Sequence, residues 1–176
     1  TSDASGNVYF TDRNLGKLFV WNAGANSIAS YSGFTKPNGV TVIGSIAYVA
    51  ENVINGNIAS FSTLTKSISG RVATNGAPFD VKNIGGILVW SSNSTDHQIC
   101  ALQGACANTL KSNYYMVVGS GGQVFFGFLG SAGVGQVLNL TPPTYTTYTF
   151  TGVSTFWGDS GDNMWVVAPS GQSGGS

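Results

Sequence analysis

Charge is what this sequence has least of. Seven Lys and Arg and seven Asp and Glu make up 8% of its 176 residues and leave no net charge, where an ordinary globular domain is about a quarter charged. So few basic side chains build no patch suited to a phosphate backbone, which excludes nucleic acid as a partner. The polar surface has to come from Ser, Thr, Asn, Gln and Gly, and the lack of net charge favours association. Long apolar runs are missing as well. Nothing approaches the roughly 18 consecutive apolar residues of a membrane span. No stretch carries an apolar stripe of helical period either, so amphipathic helices drop out of the reading. The chain does not begin with Met and opens on no signal-like segment, and is read as processed or excerpted from something longer.

Cysteine and histidine are nearly absent. Cys100 and Cys106 and the single His97 are too few for a structural zinc cluster. The two cysteines fall within one expected hairpin, and a local disulfide is the reading adopted, with buried free thiols or a metal as the alternatives. Two glycosylation sequons, Asn93-Ser94-Thr95 and Asn139-Leu140-Thr141, point the same way, toward a secreted, extracellular glycoprotein. Pro142 directly after the second sequon makes Asn139 the poorer acceptor.

What the chain does have is repetition. Gly6-Asn7-Val8-Tyr9-Phe10-Thr11-Asp12 reads as a turn and a strand, and Lys17-Leu18-Phe19-Val20-Trp21-Asn22 as a second strand. Ser45-Ile46-Ala47-Tyr48-Val49-Ala50-Glu51 and Asn57-Ile58-Ala59-Ser60-Phe61-Ser62 repeat the pair. Tyr9, Tyr48, Val89, Phe125 and Trp165 stand 39, 41, 36 and 40 residues apart. A period of about 40 with four short strands per unit marks a β-propeller. With strands labelled A to D from the inside outward, the first unit supplies B, C and D at 7–11, 17–22 and 27–32. Three full units follow, at 39–72, 79–111 and 114–150, and an A and a B at 153–157 and 163–167 close the series. The fold class expected is therefore all-β, propeller-type, with about four blades and incomplete first and last repeats. Residues 1–169 form that domain, and the Gly- and Ser-rich 170–176 reads as a tail or linker.

Segment 6–22 resembles the repeats of NHL-type propellers. Lys36-Pro37-Asn38-Gly39-Val40 through Tyr48-Val49-Ala50-Glu51 is similar to the SMP-30/gluconolactonase, strictosidine-synthase and paraoxonase lineage, whose Pro-Asn-Gly segment supplies a metal-binding Asn. The resemblance places Asn38 on that Asn, and Asp80 of Pro78-Phe79-Asp80-Val81 near a family Asp that follows a Pro. It implies a six-bladed, calcium-dependent lactonase or ester hydrolase with Asn38 and Asp80 as metal ligands, although Phe79 here parts the Pro from the Asp.

Read from the residues themselves, both positions are also plain turns into a strand, and two side chains fall short of the six to eight oxygens calcium takes. Asp159-Ser160-Gly161-Asp162-Asn163 reads as a turn. Ser92, Ser94, Asp96 and His97 crowd one loop, where a triad seldom assembles, so no catalytic residue is assigned. Tyr9, Trp21, Tyr48, Trp90, Trp157 and Trp165 recur in repeat phase and are assigned to packing, while Tyr145 and Tyr148 stay open. The function expected is a secreted, non-catalytic structural or binding module without a cofactor. Its end strands, left without neighbours, would join chains in a ring or filament. The rival readings are the calcium-dependent hydrolase and an extracellular propeller that binds glycan or protein.

Overall fold

The computed structural model of the chain describes residues 1–92, 98–102, 106–108, 113–118, 124–128, 134–140, 143–148, 155–158 and 164–167. They form seventeen strands. The first sheet holds β1 (Val8–Asp12), β2 (Lys17–Asn22) and β3 (Ser27–Ser32); the second β4 (Pro37–Ile43), β5 (Ile46–Glu51), β6 (Asn57–Ser62) and β7 (Ser67–Ala73). The third contains β8 (Pro78–Ile84), β9 (Ile87–Ser92), β10 (Gln98–Ala101) and β11 (Cys106–Asn108). The fourth contains β12 (Asn113–Val118), β13 (Val124–Phe128), β14 (Val134–Leu140) and β15 (Pro143–Tyr148), and β16 (Thr155–Gly158) pairs with β17 (Met164–Val167).

Each sheet is an antiparallel meander in chain order. The expected strands are met to within one or two residues at their ends, apart from the far end of β11, where residues beyond 108 lie outside the described set. The expected tail at 170–176 lies outside it too. Among the described residues no helix is long and apolar enough to cross a membrane.

Local chemistry explains the meanders. Along β2, Leu18 and Val20 are buried while Lys17, Phe19 and Trp21 are half-buried, the alternation of a pleated strand. Short polar side chains close the turns. Asp12 Oδ1 accepts the Asn14 and Leu15 N–H groups at 2.9 and 2.8 Å, Asn22 Oδ1 the Ala25 N–H at 2.7 Å, and Ser62 Oγ the Thr65 N–H at 3.1 Å. Between β8 and β9 the two-residue turn is Gly85-Gly86, both at positive φ (57° and 90°), the backbone such a hairpin demands.

The leading strands of the sheets follow one another around the molecule: β1 packs on β4, β4 on β8, β8 on β12 and β12 on β16. Apolar cores lie between successive blades. Tyr9, Leu18 and Val20 of the first blade meet Ala47, Val49, Ala59 and Phe61 of the second. Ala50 and Ile58 of the second meet Val81, Leu88, Trp90 and Cys100 of the third.

Two details refine the expected ends. Thr1 exchanges backbone bonds with Tyr9 (2.8 and 3.1 Å) and Ser2 bridges Val8, so residues 1 and 2 run beside β1 where the other blades carry their inner strand. At the other end β16 pairs with β17 and forms a sheet of its own, so it does not complete the first blade.

Candidate functional site

The leading ends of the inner strands are where the sequence placed its metal-ligand candidates. β4 and β8 both begin with Pro and both carry a register irregularity directly after it, between Pro37 and Val40 and between Pro78 and Asp80. Such bulges re-aim side chains and bend the strand. The two irregular segments meet. Asn38 Nδ2 donates to the Phe79 carbonyl at 2.8 Å, and Thr11 Oγ1 of the first blade donates to the Asn38 carbonyl. Gly39 lies so close to β8 that a Cβ there would stand 2.5 Å from Asp80 Oδ1 and 2.6 Å from its Cα. A second polar line runs beside the first. Arg13 Nη1 donates to Asn52 Oδ1 at 2.6 Å, and Asn52 Nδ2 donates to the Pro78 carbonyl at 3.2 Å. The three blades are stitched together along these two lines.

Asp80 is buried, at 4% exposure. Its Oδ1 accepts from the Lys82 ammonium at 3.0 Å and from the Val81 N–H at 2.9 Å, and its own N–H donates to Ser91 Oγ at 3.2 Å. A hard divalent cation needs six to eight oxygens. Asn38 and Asp80 bring one amide and one carboxylate toward that number, and the carboxylate already stands beside the Lys82 ammonium. Among the described residues no three His, Cys, Asp or Glu side chains come together as a metal site.

Two carboxylates missed as organising residues hold more bonds. Glu51, at 1% exposure, accepts from Arg71 Nε (2.9 Å) and Nη2 (3.2 Å), from the Thr35 N–H (2.9 Å) and from Asn57 Nδ2 (3.3 Å). Arg71 Nη2 continues to the Gly33 carbonyl at 2.6 Å, so the group ties β5 and β7 to the link from the first blade. The available signal was position: Glu51 ends its strand where Asp12 ends β1, in a chain with few charges. Asp3 accepts from Ser5 N, Asn7 N, Asn7 Nδ2 and the Tyr9 hydroxyl at 2.9–3.0 Å. Burial alone would raise its pKa, yet those bonds outweigh burial and hold the carboxyl below its usual value. Burial, with the Asp3 carboxylate added to it, pushes the Tyr9 phenol up to about 12.

Cys100 and Cys106 are joined by a disulfide across the β10–β11 hairpin, where they face each other in register. Asn93, Ser94, Asp96 and His97 lie outside the described residues; Ser92 is buried and in register with Pro78. Asn139 sits in β14 opposite Thr144, and Tyr145 in β15 opposite Val137. Of the aromatic residues assigned to packing, Tyr9 and Trp90 are in the core and Tyr48 packs against it. Trp21 is half-buried and Trp165 is 52% exposed. The packing assignment holds where a following or preceding blade covers the face.

Consecutive four-stranded antiparallel meanders with cores between them define a β-propeller architecture. No family model matches the chain, and no curated protein does. Solved structures do. A streptogramin B lyase superposes with a TM-score of 0.73 at 17% identity, over 94% of this chain and 60% of the lyase. A catalytically inactive virginiamycin B lyase from Staphylococcus aureus with quinupristin gives 0.77 at 16%, over 95% and 61%. The calcium-binding protein regucalcin from Agrobacterium tumefaciens gives 0.72 at 14%, over 94% and 65%. The likeness is one of fold, and the chain spans about three fifths of the length of the lyases it matches.

Proposed function

We propose that this chain is a secreted, non-catalytic structural or binding module, a propeller-type scaffold that associates through its end sheets. One observation carries the reading: the polar side chains at this end of the second and third blades are engaged within the scaffold, Asn38 and Asn52 to the next blade and Asp80 to its own strand. Asn38 donates to the Phe79 carbonyl, Asn52 to the Pro78 carbonyl, and Asp80 carries Lys82. Asn38 and Asp80 are the positions at which a propeller enzyme of the resembling lineage would hold its metal. The Cys100–Cys106 bond supports an oxidising, extracellular setting, where Asn93 carries glycan and Asn139 carries it less fully. The scarcity of charge supports association over colloidal repulsion.

The calcium-dependent lactonase or ester hydrolase remains the second reading, favoured by the structural likeness to a calcium-binding regucalcin. One experiment separates the two. The purified chain is incubated with a panel of lactones and aryl esters, with calcium or with chelator, and its melting temperature is followed in parallel. The module reading expects no calcium-dependent turnover, no calcium shift in melting, and a lower melting temperature in Asn38→Ala. Calcium-dependent hydrolysis that Asp80→Asn abolishes would establish the enzyme instead.

A further inference from the structure

Asn followed by Gly is the pair of residues most prone to deamidation. The Gly nitrogen, once it loses its proton, attacks the Asn side-chain carbonyl carbon, and no Cβ on the glycine hinders the approach. A bond forms between that nitrogen and Asn Cγ, ammonia leaves, and a succinimide ring results. Water then opens the ring at either carbonyl. The product is Asp, or isoaspartate, whose main chain runs through the former side-chain carbon. One water is taken up and one ammonia released. This sequence holds three such pairs, Asn38-Gly39, Asn55-Gly56 and Asn75-Gly76, and the fold treats them differently.

Asn38 is held in place. Its Nδ2 donates to the Phe79 carbonyl at 2.8 Å, its own carbonyl accepts from Thr11, and Gly39 is pressed against Asp80. The side chain is tied away from the next nitrogen. Asn55 is exposed, but its nucleophile is engaged. The Gly56 N–H donates to the Val53 carbonyl at 2.9 Å and to the Gly76 carbonyl at 3.1 Å. A Cβ on Gly56 would stand 2.1 Å from the Glu51 carbonyl oxygen, so the backbone there has no room to turn. Asn75 lies exposed in the link between β7 and β8. Among the described residues, neither its side chain nor the Gly76 N–H has a hydrogen-bond partner to give up.

We propose that Asn75-Gly76 is a modification site at which the folded chain deamidates itself, and that the isoaspartyl product loosens the link between the second and third blades. The link is bonded on both sides of Asn75 to the turn between β5 and β6. Before it, Thr74 donates to the Gly56 carbonyl from its N–H at 2.9 Å and from its hydroxyl at 2.8 Å. After it, the Gly76 carbonyl accepts the Gly56 N–H at 3.1 Å. Isoaspartate adds a carbon to the main chain between these two attachments, so they no longer fit one glycine together. The new carboxylate also brings charge to a chain that has no net charge. It arises close to the leading end of β8, where Asn52 Nδ2 reaches the Pro78 carbonyl. The reaction needs only water and is the same whether the chain is a scaffold or an enzyme.

The test ages the intact, folded chain in mildly alkaline buffer and reads tryptic peptides by mass spectrometry. Peptide 72–82 contains Asn75 and no other Asn. Deamidation there should run about tenfold or more ahead of Asn38 and Asn55, which must first break hydrogen bonds. In urea the three rates should draw together, because the fold no longer separates them. Asn75→Gln, whose longer side chain closes a ring far more slowly, should leave that peptide unmodified. Hydrogen exchange then reads the consequence. The Gly56 and Thr74 amides should exchange faster in the aged parent than in Asn75→Gln aged beside it. Asn75→Asp, which carries the charge without the added carbon, should keep the slow exchange. A folded chain in which Asn75 reacts no faster than Asn38 or Asn55 overturns the site. Unchanged exchange at Gly56 and Thr74 in the isoaspartyl chain overturns the loosening. So does fresh Asn75→Asp that exchanges as fast as the aged parent, since charge alone would then be the cause.

Discussion

At the scale of single residues, Glu51 is the most consequential side chain in the described structure. It is charged, 1% exposed, and gathers donors from Arg71, Asn57 and the Thr35 backbone. Removing it leaves those donors without their acceptor, but the Arg71 side chain is 38% exposed and can turn to water, so the loss is about 2 kcal/mol. Glu51→Ala should lower stability by that order in urea titration, and Glu51→Gln by less, because it keeps the shape and part of the bonding. The Asp3–Tyr9 pair gives a pH signature. Tyr9 has its phenol raised from 10.0 to about 12, so its contribution is complete below pH 10 and is lost as pH rises toward 12. Asp3 is shifted down, so its contribution is present above the ordinary carboxylate range and fades as pH falls through its lowered pKa. Tyr9→Phe should cost about 1 kcal/mol near neutrality and should remove the part of the alkaline loss that lies between pH 10 and 12. Asn38 and Asp80 are legible in the sequence because Pro marks both turns. Glu51 and Arg71, twenty residues apart, look like unrelated surface charges until the fold sets the ends of β5 and β7 against one connection.

At the scale of elements, the close approach of β4 to β8 makes the sharpest expectation. Gly39→Ala puts a methyl 2.5–2.8 Å from Asp80 and the Val81 nitrogen, an overlap that costs about 2 kcal/mol or more. Gly70→Ala, with nothing within 4 Å of the new carbon, should be close to neutral in the same denaturation experiment. The disulfide belongs to this scale too. Cys106→Ala opens a small closed loop and should lower stability by about 2 kcal/mol. Cys100→Ser should lower it further, since Cys100 is also buried in the core between the second and third blades. The strands themselves were legible almost throughout, because alternation within β2 and the Gly and Asn turn residues act locally. Which face of a blade would be buried was less legible. Trp21 and Trp165 repeat in phase with core residues, yet burial depends on whether a neighbouring blade is there, and that is not a property of the repeat.

Across the whole molecule, stability should be unevenly spread. The second blade has a core on each face, one with the first blade and one with the third, whereas β3 is exposed along nearly all its length. Chains of stacked repeats gain stability from nearest neighbours, so local opening should be easiest where one neighbour is missing. Native-state hydrogen exchange should find the slowest amides in β5 and β6 and fast exchange in β3. Uniform protection across these strands would contradict a nearest-neighbour division of stability. The period and the blade order could be read beforehand.

The contact between Gly39 and Asp80 also fixes the order of the blades. The two residues occupy matching places in consecutive repeats, two positions after Pro37 and Pro78, and a side chain is absent at Gly39 because the Asp80 Cα and the Val81 nitrogen, with the Asp80 carboxylate, stand where its Cβ would be. The repeats are therefore not interchangeable parts. A shuffled gene with the third repeat duplicated in tandem would set an aspartate against the Cβ of its own counterpart. One with the second repeat duplicated would keep the close backbone approach and lose the carboxylate that Asp80 brings to the seam. The small-then-large sequence at this seam acts as a direction marker along the chain, telling each blade which neighbour it is meant to meet.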